Sequence, residues 1–203
     1  MAKKKDDTTE LQILEAAKKI FQAKGMAGAR MQEIADAANI NKAMLHYYYR
    51  NKQLLFEAVF KQAFALLAPQ LNTILNDDTS VEEKVKNFSA SYIPFIMKHP
   101  YLPSFVIQEL NQNPNFIQNL PHETAPLQST KFEARVKQEV DQGILKPICG
   151  KQLFINILAL NMFPFLAKPL VKTFTSDTEA SFNALMEQRQ HAVSEFIISA
   201  IKK

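Results

Sequence analysis

The chain has 203 residues, 47% of them hydrophobic, and a formal net charge of +4. That length suits one large or two small domains, and the apolar content is enough to bury a core, which excludes a disordered chain. One cysteine, Cys149, excludes an internal disulfide and suits a reducing cytosol. Residues 1–10 are too charged and polar for a signal peptide, and the longest apolar run, 153–166, is short for a membrane span and carries Asn156 and Asn161. A cytoplasmic protein without a membrane partner is expected.

With four glycines and no alternating apolar pattern bounded by turns, the chain reads as all-α. Residues 10–24 form an amphipathic helix with Leu14, Ala17, Ile20 and Phe21 on one face, and Thr9 with Gln12 reads as a capping box at its start. Gly25 and Gly28 break the chain before a second helix. There Ile34, Ala35 and Ala38 share a face, with Ala35 small where two helices cross. Asn39 marks a turn because asparagine tolerates the left-handed conformation, Ile40 plugs the corner, and Asn41 caps a third, short helix. Leu45 and Tyr49 repeat at four and point inward. Lys42, Ala43, Met44, His46, Tyr47 and Tyr48 are left for the outside or the flanks. Helix, tight turn and short helix make a helix-turn-helix, whose second helix enters the major groove of DNA. A tyrosine-rich helix is also compatible with plain core packing.

This stretch resembles the TetR family of bacterial transcriptional repressors. The residues that carry the resemblance are Ile13 to Ala17, Phe21, Gly25, Ile34-Ala35, Ala38, Ile40, Leu45, Tyr47 to Tyr49 and Asn51 to Leu55. They match in order and spacing over residues 10–55 without a gap, about a quarter of the chain. The resemblance implies an N-terminal three-helix DNA-binding domain, residues 1–52, and a C-terminal helical domain for effector binding and dimerisation, residues 53–203. It places Arg30, Asn41, Lys42, Ala43, Met44, His46, Tyr47, Tyr48 and Lys52 at the DNA. Asn41, Lys42, Met44 and Tyr47 are expected at base edges or their backbone, and His46, Tyr48 and Lys52 on phosphates. The chain departs from the family pattern in four places. Asn39 replaces the usual turn glycine, and Ala29-Arg30 replaces the usual Thr or Ser, leaving Arg30 as the charged contact. Ala43-Met44 makes the reading surface methyl-rich, which favours thymine methyls. His46 stands where a tyrosine usually touches phosphate.

Charge agrees. Residues 1–52 hold ten Lys or Arg against six Asp or Glu, whereas residues 53–203 hold fourteen of each, so the whole excess of +4 lies in the part expected to bind DNA. Lys3, Lys4 and Lys5 sit in a tail expected to be disordered.

The second domain reads as helices punctuated by proline. One runs from Asn51 to about Leu75, with Pro69 able to kink it; the next is Val81 to Lys98, ended by His99-Pro100. Pro103 lies in the first turn of a helix reaching about Asn111, and Thr124 opens another that Gly143 closes. A helix from about Lys151 to Lys172 is interrupted by Pro164, and Ser176 or Asp177 caps a last helix running to Ile201. The last two long helices are apolar on so many sides that they predict a homodimer interface through Phe154, Ile157, Phe165, Phe182, Met186, Phe196 and Ile197. Between them and the DNA-binding part, residues 85–135 are expected to line an effector pocket. Tyr92, Phe95, Ile96, Tyr101, Phe105, Phe116 and Phe132 serve as walls, and Gln108, Asn111, His122 and Arg135 as polar contacts.

Catalytic readings are excluded by motif. The four histidines have no metal-ligand spacing, and no Cys-x-x-Cys, phosphate loop or dinucleotide fingerprint occurs, so neither enzyme chemistry, metal nor cofactor is expected. Cys149 lies near Lys146 and Lys151 but reads as inert. The favoured function is a repressor released from operator DNA by a small apolar or amphipathic effector. A DNA-binding architectural protein without effector, and a helical small-molecule binder, stay open beside it.

Overall fold

The computed structural model of the protein describes residues 2–104, 107, 111, 129–175 and 178–203. Among them the helices are α1 (Ala2–Gly28), α2 (Met31–Ala37), α3 (Lys42–Tyr48), α4 (Lys52–Asn76), α5 (Val81–Lys98), α6 (Thr130–Asp141), α7 (Gly150–Leu166), α8 (Lys168–Thr175) and α9 (Glu179–Ile201). The fold is all-α. The described residues contain no strand, only an isolated bridge between Leu145 and Lys202 that ties the C-terminus to the loop after α6. No single helix among them is long and apolar enough to cross a membrane.

Two hydrophobic cores organise the chain. The first gathers Ile13, Ala17 and Phe21 of α1, Ile34 and Ala35 of α2, Leu45 of α3, and Leu55 to Ala63 of α4. The second gathers Leu67, Leu71 and Leu75 of α4 with the apolar faces of α5, α6, α7 and α9. Thus α4 belongs to both. Pro69 has no N–H for the carbonyl of Ala65, and the helix bends by 42° between Lys52–Ala63 and Leu67–Asn76. Phe95 of α5 packs against both cores, and Tyr101 and Leu102, just past α5, are buried in the first. The side-chain amide of Gln22 in α1 donates to the Lys98 carbonyl at 2.6 Å.

Local chemistry sets the helix ends. Ser80 and Glu83 form a capping box at the start of α5, and Asn51 caps α4 by accepting from the Leu54 N–H at 2.9 Å. Several expected boundaries shift. No capping box forms at Thr9, because α1 begins at Ala2 and runs through it; the lysine-rich tail is helical instead of disordered, and Gly25 kinks the helix at φ 65°. The helix closed by Gly143 starts at Thr130 in the described residues, and Thr124 lies outside them. α7 passes through Pro164 and turns by 80° at Ala167. Thr178, not Ser176 or Asp177, caps α9 by accepting from the Ser181 N–H; residues 176 and 177 lie outside the described set.

Pro164 is tolerated for a reason remote in sequence. Its missing N–H orphans the Leu160 carbonyl. The guanidinium of Arg189, on α9, donates to that carbonyl from Nε at 3.2 Å and from Nη2 at 2.8 Å. The helix keeps its hydrogen-bond count, and α9 is clamped to α7.

Candidate nucleic-acid interface

The turn between α2 and α3 follows from its sequence. Ala38 ends α2, Asn39 takes φ 54°, its N–H donates to Asp36, and the Ile40 N–H reaches back to Ala35 at 3.0 Å. This is a Schellman closure with asparagine in the left-handed position. Ile40 is half-buried against the first core. One residue later Asn41 accepts from the Met44 N–H at 2.7 Å and starts α3.

A seven-residue helix is too short to persist alone, so its exposed face is held by what it buries. Leu45 and Tyr49 point into the core. Lys42, Ala43, Met44, His46 and Tyr47 face solvent, Tyr47 at 80% exposure. Tyr48 is half-buried and meets Tyr47 edge to face at 5.5 Å. The carbonyl of Arg50 lies 3.1 Å from His46 Nδ1 and can only accept, which assigns the proton to Nδ1. Nε2 is then an acceptor in the neutral ring and donates to a phosphate only as imidazolium. Arg30, at the start of α2, is exposed and makes no capping bond, so its guanidinium is available. Asn41 has committed its oxygen to the helix, leaving its amide N–H groups to reach outward.

Lys52 differs from expectation. Its ammonium donates to the carbonyls of Ala29 at 3.0 Å and Ala27 at 3.4 Å. The cation thereby satisfies the end of α1, where the helix dipole is negative, and pins the start of α4 there. Without DNA its ammonium is engaged in this internal bond. Sequence reasoning also missed Arg50, an exposed cation directly after α3. A basic residue between the recognition helix and α4 was the signal for it.

The C-terminal candidates separate. Tyr92 is buried and stacked on Phe88 at 5.5 Å, and burial pushes its phenol up. Phe95 is half-buried. Phe132 is fully buried and packs against Phe154 at 5.9 Å. The Arg135 Nε donates to Glu139 at 2.8 Å, and the same carboxylate oxygen accepts the Val81 N–H at the start of α5, so its charge is engaged within the fold. Phe105, Gln108 and Phe116 lie outside the described residues, as does His122. The Ser89 hydroxyl and the Asn161 amide oxygen are buried without a hydrogen-bond partner among the described residues.

The interface candidates divide in the same way. Ile157, Phe165, Phe182, Met186 and Ile197 are buried inside their own chain. Phe154 is half-buried against that core. Phe196 remains, 63% exposed on α9. Two further large residues, Ile155 and Phe163, stand exposed on α7 at a spacing of eight, with exposed Ala159 between them. Helical spacing puts these three on one stripe.

Residues 13–59 match the family described as bacterial regulatory proteins, tetR family. Two curated regulators are similar. The HTH-type transcriptional regulator RutR of Escherichia coli is 27% identical over 189 residues, 91% of this chain and 88% of the relative. The HTH-type transcriptional repressor NicS of Pseudomonas putida is 27% identical over 103 residues, 51% of this chain and 49% of NicS, so the chain spans about half of that protein's length. Over residues 13–59 the chain is similar to the TetR family. Solved structures agree in fold. The ketosteroid transcriptional regulator KstR2 of Mycobacterium tuberculosis superposes with a TM-score of 0.67 at 14% identity, covering 96% of this chain and 95% of that one. A HlyIIR mutant superposes with a TM-score of 0.65 at 20% identity, covering 98% and 99%. TetR-family regulators bind operator DNA and typically form dimers. α3, residues 42–48, lies inside the matched stretch.

Proposed function

We infer that this protein is a ligand-responsive repressor of the TetR family. It binds operator DNA as a homodimer and is released by a small apolar or amphipathic effector. The observation that carries this reading is the split of α3: Leu45 and Tyr49 are buried, whereas Lys42, Met44, His46 and Tyr47 stand in solvent. A soluble surface seldom exposes such a group without a partner. Lys42 is suited to guanine, Ala43 and Met44 to thymine methyls, and Arg30 and Arg50 to phosphates. Two copies would read half-sites about 34 Å apart, or a multiple of that.

The effector reading rests on α4 and on the unpartnered polar atoms. α4 joins the DNA-binding core to the second core, so a ligand packed against its far half can tilt the near half. Ser89 and Asn161 offer polar contacts in an otherwise apolar surround. To lower operator occupancy, the ligand must prefer the DNA-incompetent arrangement by about 1–3 kcal/mol, and operator DNA must weaken ligand binding by the same factor.

Selection of duplexes from a random pool, followed by gel-shift titration, tests the DNA reading. Lys42→Ala is expected to weaken the selected duplex by about 1–3 kcal/mol while scrambled DNA changes little. Equal binding of wild type to selected and scrambled duplexes would leave an architectural protein. A thermal-shift screen of apolar compounds, with hits titrated calorimetrically with and without operator, tests the switch. Equal ligand affinity in both titrations removes it.

A further inference from the structure

The hydrogen bond between Tyr49 and Glu10 sits behind the exposed face of α3. The Tyr49 hydroxyl donates to Glu10 Oε1 at 2.9 Å, joining the residue that ends α3 to the outer turns of α1. Tyr49 is 8% exposed, and its N–H closes α3 on the Leu45 carbonyl at 2.8 Å. Burial and the Glu10 carboxylate both push its phenol up, so it stays a donor throughout the working pH range.

We propose that Tyr49 and Glu10 are positioning residues for sequence recognition: their hydrogen bond fixes the rotation of α3 about its own axis. The inference rests on α3 being the recognition helix. Of residues 41–50, the buried side chains are Leu45 and Tyr49. An apolar contact such as Leu45 sets how deep the helix sits but resists rotation weakly, because dispersion has little directional preference. A hydrogen bond to an ionised carboxylate is directional and strong for its kind. Successive residues are about 100° apart around a helix, so a small rotation moves Lys42, Met44 and Tyr47 across the groove together. Base-edge contacts require placement to within about 0.5 Å. Phosphate attraction, which supplies non-specific affinity, tolerates far more. Loosening the tie therefore reduces discrimination between sequences more than it reduces DNA affinity.

The test uses the full chain, a duplex selected by wild type from a random pool, and a scrambled duplex of equal length. Far-ultraviolet circular dichroism and melting are measured first, and binding is read well below the melting temperature. Tyr49→Phe keeps the ring and removes the donor. It is expected to lower the ratio of selected to scrambled affinity by about three- to tenfold, the size of one ordinary hydrogen bond. Glu10→Ala, at an exposed site on another helix, should match it, and the double variant should lose no more than either single one. Glu10→Gln retains an acceptor without the charge and should restore most of the ratio. An unchanged ratio in Tyr49→Phe or Glu10→Ala overturns the proposal. A Glu10→Gln variant as poor as Glu10→Ala also overturns it, because the effect would then belong to the Glu10 charge near DNA. Failure of wild type to prefer any selected duplex would instead remove the DNA reading on which the proposal rests.

Discussion

Lys84→Met is expected to destabilise the fold by about 3 kcal/mol, although Lys84 lies far from α3. Lys84 is 1% exposed. Its ammonium donates to the carbonyls of Ile74 at 3.0 Å and Asp77 at 2.8 Å, and to the Asp77 carboxylate. All three donors are used at the C-terminal end of α4, where free carbonyls and the helix dipole favour a cation. Methionine keeps much of the stem's volume but strands those carbonyls. Breaking a buried pair costs about 3–5 kcal/mol. The Asp77 side chain retains 31% exposure and can recover water, which places the expectation at the lower end. Urea unfolding should show a lower midpoint with an unchanged slope. A loss below about 1 kcal/mol would put Lys84 among ordinary surface pairs.

The same latch carries a pH signature. Burial pushes the Asp77 carboxyl up, but hydrogen bonds from Lys84 and Thr79 outweigh it and hold the group below its ordinary value. A depressed carboxyl contributes stability above its unfolded pKa of about 3.9 and loses it as pH falls through the folded value. The gap between wild type and Lys84→Met should therefore be full near neutrality and narrow in acid. The latch ties the far end of α4 to α5.

How much of this was legible depended on range. The caps at Asn41 and Asn51, the left-handed Asn39 and the inward pair Leu45 and Tyr49 are set by residues within one turn, and all were readable. The bounds of α5 were readable because Val81, Val85 and Phe88 repeat at helical spacing between polar breaks. Lys84 was overlooked although it lies on that same apolar stripe, because its partners are the carbonyls of another helix. Pro164 reads as a helix breaker in any local scheme; Arg189, on another helix, makes it harmless. The sequence was least informative at α7 and α9. A helix apolar all round does not say which apolar residues face its own core and which face a partner. Ile157 and Phe196 look alike in sequence, and only the packing of α5 against α7 and α9 separates them.

That separation gives the second large effect. Phe196→Asp is expected to leave each subunit folded and helical but to sediment as a monomer at micromolar concentration. Phe196 is exposed on α9, as Ile155 and Phe163 are on α7, and a second copy is expected to cover these side chains. An aspartate there is solvated in the free subunit and buried without a partner in the dimer, a penalty of several kcal/mol that falls on association alone. Ile157→Asp should behave differently. Its side chain is 0% exposed inside the single chain, so the charge penalises the folded subunit itself. Against a typical stability of about 5–15 kcal/mol, the expected outcome is loss of cooperative unfolding, not a clean monomer. Splitting the dimer also removes the second half-site contact, so Phe196→Asp should lower affinity for a two-half-site duplex by about 100-fold or more while a single half-site changes little. A Phe196→Asp protein that stays dimeric would place the interface elsewhere. A folded, monomeric Ile157→Asp protein would mean that α7 turns a different face to its own core.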